Sequence, residues 1–222
     1  MYLIEGNIGV GKSTFLRLMQ EQLPEIQAIF EPVNAWSSSE TTQSLLGNFY
    51  TNTPRWSYTM ETFTMFARIK DHLNEHPHLS KLTIGERSLY SGYYCFAKNG
   101  YLQGQMQDIE WSLYSQWFDF LVPRINTPTG FIYLKSDPEK CFERTVKRNR
   151  TGESNIPLEY FKQIHHRHEE FLIKKQGVSK ALEHVPLLIL DASCEFEHNP
   201  EIISEYAHEV KQFIELTVTK DA

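Results

Sequence analysis

Hydrophobic residues are concentrated in five short runs along the chain, at residues 2–5, 27–30, 81–84, 130–134 and 186–190. Runs of this length, bounded by turn residues, are typical of strands buried on both faces of a parallel sheet. We therefore predict five parallel strands at these positions.

Segments with helical periodicity lie between the hydrophobic runs and after the last one, at residues 12–23, 54–75, 107–122, 138–147, 157–176 and 201–216. The alternation predicts an α/β fold with a doubly wound, five-stranded parallel sheet flanked by helices. Open sheets of this kind bind ligands beyond the carboxyl ends of their strands. The first candidates are therefore the residues that follow the strands, namely Gly6, Glu31, Glu86 and Asp191.

Size and charge narrow the class of protein. A chain of 222 residues is long enough for one such domain, which we expect to span residues 1–222. Hydrophobic residues make up 41% of the chain and charged residues 23%, which is typical of globular proteins. The net charge of −6 argues against binding to nucleic acid, which needs a basic surface. Phosphate groups would have to be bound by a few local cations.

The composition also bears on the cellular location. Cys95, Cys141 and Cys194 lack metal-ligand spacing, and their odd number argues against a disulfide framework. No apolar run approaches the roughly 18–20 residues of a membrane span, and the first residues do not resemble a targeting segment. We expect a cytoplasmic protein that does not bind membranes.

Residues 6–13 match the phosphate-binding loop G-x-x-x-x-G-K-[ST]. Its backbone N–H groups surround phosphates, and the following helix contributes the positive end of its dipole. We predict that Lys12 reaches the β- and γ-phosphates and that the Ser13 hydroxyl binds Mg²⁺. The ATP-binding residues predicted here are Gly6, Asn7, Ile8, Gly9, Val10, Gly11, Lys12, Ser13 and Thr14.

Two carboxylates follow the second and third predicted strands. Glu31 precedes Pro32, which ends the strand, and a carboxylate there can accept a proton from an attacking hydroxyl. In Glu86-Arg87-Ser88 the acid can hold Mg²⁺ and the arginine can contact phosphate. Taken alone, each segment is also compatible with a solvated turn or a surface ion pair.

A basic segment ends the helix predicted at residues 138–147. Arg144, Lys147, Arg148 and Arg150 are either a solvated helix end or a lid, at about residues 144–156, that closes arginines over ATP. The presence of the phosphate-binding loop favours the lid.

Together these residues resemble the deoxyribonucleoside kinase family, which includes deoxycytidine, deoxyguanosine and mitochondrial thymidine kinases. The resemblance extends from residue 2 to about residue 213. Its motifs, in order, are the phosphate-binding loop, Glu31-Pro32-Val33 with Trp36, Tyr50 before Trp56-Ser57, Glu86-Arg87-Ser88, the lid arginines, Ile-Pro-Leu-Glu-Tyr at 156–160, and Leu190-Asp191 with Glu195-Phe196.

The resemblance implies transfer of the γ-phosphate of ATP to the 5′-hydroxyl of a deoxyribonucleoside, with Mg²⁺. Glu31 resembles the catalytic base, Arg87 the arginine that contacts phosphate and holds the base in place, and Glu86 the acid beside the metal. Arg144, Arg148 and Arg150 match the lid, and Glu195 and Phe196 lie in the loop that frames the donor base. Dimer formation through helices beside the sheet is also implied.

The family's nucleoside pocket implies further roles. Trp36 and Phe96 resemble its aromatic walls, and Tyr50 and Glu153 resemble the pair that binds the sugar 3′-hydroxyl. Two positions depart from the family pattern. Glu61 replaces a glutamine that contacts the base, and Gly92-Tyr93 replaces Asp-Arg, although Arg68 matches an arginine of the purine and cytidine kinases.

Glu61 and Arg68 are separated by about two helical turns and therefore share a helix face. An ionised glutamate only accepts hydrogen bonds. Guanine offers N1–H and an amino group as donors, and O6 and N7 as acceptors for arginine. These properties favour a purine deoxynucleoside, deoxyguanosine or deoxyadenosine. Alternatively, Glu61 simply pairs with Arg68 and specificity stays broad.

Two other functions compete with this interpretation. A thymidylate-like nucleoside monophosphate kinase would resemble Glu-Pro-Gly-Gly and Asp-Arg-Tyr, where this chain has Glu-Pro-Val-Asn and Glu-Arg-Ser. A non-catalytic nucleotide-binding subunit should lack the lysine or the base, whereas Lys12 and Glu31 are both present.

The histidines at 165, 166 and 168 are expected on a solvated helix face. The aromatic run of Trp111, Tyr114, Trp117 and Phe118 is expected in core or dimer packing.

Overall fold

The computed structural model describes residues 1–33, 44–74, 82–150, 153 and 156–218, with the backbone alone at 71–74. Five strands are present in these residues: β1 Tyr2–Gly6, β2 Gln27–Ile29, β3 Thr83–Glu86, β4 Gly130–Lys135 and β5 Leu187–Asp191. They form one parallel sheet in the order β2-β3-β1-β4-β5. The predicted five-stranded parallel sheet is confirmed.

The pairing register brings the strand ends to a common edge. Ile4 is paired with Glu86, and Gly6 is paired with Leu134. The phosphate-binding loop therefore begins two residues after the β1 residue that is paired with the acid ending β3. This edge is the carboxyl edge expected to bind ligands in open parallel sheets.

Ten α-helical segments connect and cover these strands in the described residues. They are α1 Lys12–Gln22, α2 Leu45–Thr51, α3 Thr53–Asn74, α4 Leu89–Ser91, α5 Lys98–Leu102, α6 Asp108–Leu121, α7 Pro138–Arg148, α8 Leu158–His168, α9 Lys180–Glu183 and α10 Pro200–Val218. Gly92–Ala97 joins α4 to α5 as a π-helix, and Glu169–Ile173 extends α8 in the same form. Val122–Arg124 adds a short 3₁₀ turn after α6.

The sheet is covered on both faces, because successive strand residues point to opposite sides. Tyr2 and Ile4 pack in one hydrophobic core with residues of α1 and α10, including Phe15 and Val210. Leu3 packs in the other core with residues of α6 and the second π-helix. In the part of the chain that the structure describes, no helix has both the length and the apolar character to cross a membrane.

Several local predictions were incomplete. The helices α2, α4, α5 and α9 were not predicted because they are short, and α2, α4 and α5 also contain Gly, Ser, Asn or aromatic residues, which have modest helix propensity. The helix predicted at 157–176 changes to π-helical geometry after His168. The strand predicted at 81–84 lies later, at Thr83–Glu86, and residue 81 is outside the described residues.

The expectation of a solvated histidine face was wrong for one residue. His168 is fully buried, its Nδ1 lies 2.8 Å from the carbonyl oxygen of Ile164, and its ring stacks on Tyr133. Burial holds the pKa of His168 well below its usual value. The residue belongs to the core because α8 packs against the sheet and the first π-helix rather than lying on the surface.

Candidate active site

The phosphate-binding loop connects β1 to α1 and is fixed by three glycines with positive φ, namely Gly6 at 149°, Gly9 at 72° and Gly11 at 103°. A Cβ atom at Gly9 would lie 2.3 Å from the Thr145 Oγ1 and 2.4 Å from the Cys141 carbonyl oxygen. The loop therefore rests directly on α7, and only glycine meets both the steric and the conformational requirement. The side chain of Asn7 is turned into the protein, where its amide donates to the Phe161 carbonyl oxygen over 2.9 Å.

Lys12 and Ser13 begin α1 directly after this loop. The Lys12 Nζ donates to the carbonyl oxygens of Gly6 at 3.2 Å and Asn7 at 2.8 Å. Burial, together with the nearby Arg87, lowers the pKa of Lys12 to about 7. The Ser13 hydroxyl contacts both carboxylate oxygens of Glu86, at 2.8 and 2.9 Å. Ser13 and Glu86, both predicted to hold Mg²⁺, are thus in direct contact, while their role as metal ligands stays a prediction.

Arg87 occupies a tight turn at the end of β3. Its backbone has a φ of 63°, which is uncommon for a residue with a side chain. The turn is held by the Arg87 N–H, which donates to the Ile4 carbonyl oxygen over 2.9 Å. The next residue, Ser88, caps α4 and donates its hydroxyl to the buried Glu5 over 2.5 Å. The guanidinium of Arg87 lies 4.6 Å from the ring centre of Phe96 and is thereby directed toward the strand edge.

Glu31 lies between two arginines. Its Oε1 is 2.6 Å from the Arg68 Nη2, and its Oε2 is 3.2 Å from the Arg87 Nε. Burial alone would raise the pKa of Glu31, but the two guanidinium groups outweigh burial and hold this pKa below its usual value. The carboxylate is therefore ionised at neutral pH and each of its oxygens already accepts a hydrogen bond.

Helix α3 presents a polar stripe toward this carboxylate. Glu61, Thr64 and Arg68 recur at helical spacing on one face and line the same cleft as Glu31. Glu61 is buried, and burial raises its pKa to about 7. Arg68 pairs with Glu31, and no hydrogen bond joins the Glu61 carboxylate to a described residue, although the Glu61 carbonyl oxygen accepts from the Thr64 hydroxyl. Glu61 and Arg68 therefore do not form the simple ion pair of the alternative interpretation, whereas the breadth of base specificity stays a prediction.

A cleft with about 750 Å³ of empty space joins these groups at the carboxyl edge of the sheet. Its wall contains most of the residues predicted for the nucleoside and the reacting phosphate: Ile8, Gly9, Lys12, Ser13, Glu31, Tyr50, Glu61, Arg68, Glu86, Arg87, Phe96, Arg148, Arg150 and Glu153. Gly92 is not one of the lining residues, but it lies against Arg68, which is. Trp36 lies outside the described residues, so its predicted role as an aromatic wall stays a prediction.

The two residues predicted to bind the sugar line the same cleft. Glu153 is held by Arg148 at 2.6 Å and by Arg150 at 3.3 Å, so the carboxylate and two predicted lid arginines form one charged group. Burial and the nearby Glu153 raise the pKa of Tyr50. A neutral phenol beside a carboxylate is suited to binding a hydroxyl group, which both donates and accepts.

A second cleft, with about 880 Å³ of empty space, lies on the other side of the phosphate-binding loop. It is lined by Val10, Gly11, Thr14, Arg144, Arg148, Glu195 and Phe196, all predicted to bind ATP. Arg144 donates to the carbonyl oxygens of Ala192 at 2.8 Å and Cys194 at 2.9 Å. It thus holds the loop after β5 against α7, while Phe196 is buried below Gly11.

Sequence reasoning did not assign several residues of the first cleft. Leu46, Phe49, Met60, Thr64 and Tyr160 contribute to its wall. The helical spacing of Thr64 with Glu61 and Arg68 was a usable signal for Thr64. Leu46 and Phe49 belong to the unpredicted helix α2, and Tyr160 reaches the cleft from α8, so only tertiary packing brings these three residues there.

Comparison with known proteins agrees with this geometry. A family model described as deoxynucleoside kinase matches residues 2–215. The chain is 35% identical to a mitochondrial deoxyguanosine kinase of Xenopus laevis, over 95% of this chain and 88% of the relative. It is 33% identical to deoxycytidine kinase 2 of Gallus gallus, over 95% of this chain and 89% of the relative. It is also 33% identical to the mitochondrial thymidine kinase 2 of Homo sapiens, over 91% and 74%.

The match covers nearly the whole chain and includes every strand of the sheet. The phosphate-binding loop, the carboxylates at the strand ends and the arginines around them lie in the matched region. The predicted resemblance and the predicted kinase fold are thereby confirmed. The chain belongs to the deoxynucleoside kinase family and is an ATP-dependent deoxynucleoside kinase.

Proposed function

We propose that this kinase transfers the γ-phosphate of ATP to the 5′-hydroxyl of a deoxyribonucleoside, with Glu31 as the general base. The observation that carries the proposal is that Glu31, Lys12 and Ser13 line one cleft. A hydroxyl bound there lies between a carboxylate that accepts protons and a loop that binds phosphates. Tyr50 and Glu153 would hold the sugar from the opposite wall.

In this mechanism Glu31 takes the proton of the 5′-hydroxyl as its oxygen attacks the γ-phosphorus in line. Lys12 and the backbone of the phosphate-binding loop bind the phosphates of the donor. Arg87 holds Glu31 in place and faces the transferring group. Arg148 and Arg150 pair with Glu153 in the nucleoside cleft, and Arg148 also lines the donor cleft, so these arginines would balance charge as the transition state forms.

Mg²⁺ fits the oxygen atoms present beside the phosphate-binding loop. The Ser13 hydroxyl and the Glu86 carboxylate are in contact at the strand edge, and hard oxygen ligands of this kind suit Mg²⁺. When bound, the ion would neutralise charge on the phosphates of ATP. Ser13 and Glu86 would hold it from the protein side.

The test of the base is Glu31→Gln, which keeps the size of the side chain and removes its basicity. We expect kcat to fall by about 10²–10⁴-fold while nucleoside binding is largely retained. Glu21→Gln, an exposed residue paired with Arg17, serves as the control and should keep the rate. A Glu31→Gln enzyme within about tenfold of the original kcat would remove Glu31 from this role.

The acceptor is tested with deoxyguanosine, deoxyadenosine, deoxycytidine, thymidine and their 5′-monophosphates, each with ATP and Mg²⁺. Turnover of nucleosides but not monophosphates is the expected result. Turnover of monophosphates alone would support a thymidylate-like kinase instead. If no acceptor reacts, a non-catalytic nucleotide-binding subunit becomes the better description.

Among the nucleosides, we expect a preference for a purine. Glu61, when ionised, accepts from the N1–H and amino group of guanine or from the amino group of adenine, and Arg68 donates to purine acceptors. Glu61→Gln should change the ranking of kcat/KM among the four nucleosides. A buried polar group left without a partner costs about 1–3 kcal/mol, so the ratio of kcat/KM between two nucleosides should change by about 5–150-fold. An unchanged ranking would show that Glu61 does not select the base.

The kinase is further proposed to form a homodimer through α3 and α6, which pack side by side. Ile109, Leu113, Trp117 and Phe120 are exposed along one face of α6, and Phe63 and Phe66 continue this apolar surface on α3. Leu113→Glu should give a monomer in sedimentation velocity, whereas Val218→Glu on α10 should leave the dimer intact. A wild-type monomer would contradict the proposal.

The cytoplasmic location stays a prediction.

A further inference from the structure

Arg68 uses only part of its hydrogen-bonding capacity on Glu31. Its Nη2 donates to the Glu31 Oε1 over 2.6 Å. Its Nε and Nη1 are buried and have no partner among the described residues. Since a guanidinium has five N–H donors, three of them, on Nε and Nη1, stay available inside the protein.

These free donors face the position of Gly92. A Cβ atom at Gly92 would lie 2.7 Å from the Arg68 Nη1 and 3.6 Å from the Tyr114 hydroxyl. The Tyr114 hydroxyl is also buried and has no partner in the described part of the chain. Because Gly92 has no side chain, nothing from that position competes for Arg68. An acceptor on a ligand that reached this space would therefore meet unoccupied donors of Arg68.

Other charges also surround Glu31. They come from α1 (Lys12), from α3 (Glu61 and Arg68), from the end of β3 (Glu86 and Arg87), and from the opposite wall of the cleft (Arg148, Arg150 and Glu153). Among these cations, Arg68 and Arg87 make the contacts with the Glu31 carboxylate. Arg87 is fixed by the tight turn and by the Gly6 carbonyl oxygen, 3.1 Å from its Nη1. Of these two, Arg68 is the arginine with buried donors that have no partner among the described residues.

We propose that Arg68 is a positioning residue that connects the nucleobase to Glu31, so that the base affects kcat as well as KM. The inference rests on the proposed role of Glu31 as the general base. A guanidinium is planar and rigid, so an acceptor bound to Nη1 or Nε fixes the direction of Nη2. Binding of the base thereby orients the carboxylate that accepts the 5′-hydroxyl proton.

The first test measures the pKa of Glu31 directly, by NMR titration of carboxyl-labelled enzyme without substrate. Arg68→Met should raise this pKa by about one pH unit or more, because an opposite charge at hydrogen-bonding distance is lost. Arg17→Met removes the same charge from an exposed ion pair and should leave the pKa unchanged. An unchanged value in Arg68→Met would overturn the proposal.

The second test separates kcat from KM. In the original enzyme, deoxyguanosine and 7-deazadeoxyguanosine, which lacks the N7 acceptor, should differ in kcat. In Arg68→Met the kcat values should agree within about twofold, while KM rises for every base. A spread of kcat that survives this substitution would contradict a link through Arg68.

A third pair of variants covers the case in which Arg68→Met does not fold. Gly92→Asp places a competing carboxylate beside Nη1, and Gly92→Ala adds the steric change alone. The aspartate should raise the Glu31 pKa and lower kcat more than the alanine does. Equal effects of the two variants would overturn the proposal.

The two levels of inference fail separately. If Glu31→Gln keeps its kcat, the general-base role is wrong, yet the titration still reports whether Arg68 controls the carboxylate. If Glu31→Gln loses its kcat and Arg68→Met leaves both the pKa and the kcat spread unchanged, Glu31 is the base and Arg68 is not its link to the nucleobase.

Discussion

The two ends of the active site are built in different ways. At the phosphate end, a contiguous loop of residues 6–13 supplies the binding surface through its backbone, and its conformation is fixed by glycines and by contact with α7. At the nucleoside end, side chains from α2, α3, α8, the first π-helix, the strand ends and the lid segment meet in one cleft. Several of them are buried charges, and some of their donors are unpaired.

The difference shows where each end tolerates change. A backbone cradle recognises any polyphosphate and fails when its dihedral angles change. A side-chain pocket keeps its shape when one polar group is replaced, but its hydrogen-bonding pattern changes with every replacement. The donor end is therefore expected to be rigid and general, and the acceptor end adjustable and specific.

The largest effect is expected from breaking the backbone cradle with Gly9→Ala. The new Cβ would collide with the Cys141 carbonyl oxygen and Thr145, and the positive φ would be strained. We expect kcat/KM for ATP to fall by about 10²-fold or more, since small displacements of a reacting phosphate are costly.

Gly104→Ala is the matched control for this substitution. Gly104 has a φ of 68° and nothing within 4 Å of its Cβ position, so it carries the conformational strain without the collision. We expect it to lose about 1–2 kcal/mol of stability and to keep its kinetics. Equal kinetic losses in the two variants would mean that the contact with α7 is unimportant.

An intermediate effect is expected from the buried charge at the nucleoside end. The pKa of Glu61 is raised to about 7, so the folded protein holds this proton more tightly than the unfolded chain does. The stability that results is complete below about pH 4.5 and is lost as the pH rises through 7. As the pH rises from 5 to 8, the free energy of unfolding of Glu61→Gln should therefore increase relative to that of wild type, by up to about 3 kcal/mol.

Urea unfolding of both proteins at several pH values measures this difference. Thr64→Val on the same face of α3 is the control, because it removes a hydroxyl and no titratable group. A stability difference between Glu61→Gln and wild type that does not change with pH would show that Glu61 is not desolvated as described.

The smallest effect concerns the cation of the phosphate end. The pKa of Lys12 is about 7 in the ligand-free protein, and the phosphates of ATP would favour its charged form. Above pH 7 the binding of ATP should therefore take up a proton. The affinity should decrease by at most about tenfold per pH unit between pH 7.5 and 9, where the terminal phosphate of ATP is already ionised.

Calorimetric titration in buffers with different ionisation enthalpies measures this proton uptake. We expect nearly one proton per ATP at pH 9 and less at pH 7.5. Binding without proton uptake at pH 9 would mean that Lys12 is already charged before ATP binds. The phosphate end would then contain no buried group with a shifted pKa comparable to that of Glu61.

The sequence by itself determined the elements that depend on local pattern. The five strands, the phosphate-binding loop and the six longer helices were predicted because hydrophobic periodicity and glycine spacing are properties of neighbouring residues. The convergence of Gly6, Glu31 and Glu86 on one edge also followed, because parallel strands place their carboxyl ends together. Charge-bearing candidates at those ends were therefore identified before any contact was known.

Only the tertiary structure decided which partners those charges have. Glu61 and Arg68 share a helix face, yet Arg68 pairs with Glu31, which is remote in sequence, because β2 ends beside α3 and Gly92 leaves room for the guanidinium. Burial of His168 and the raised pKa of Glu61 likewise depend on which surfaces cover them. Helical spacing fixes direction along one element, whereas partner choice and desolvation depend on the packing of elements far apart in the chain.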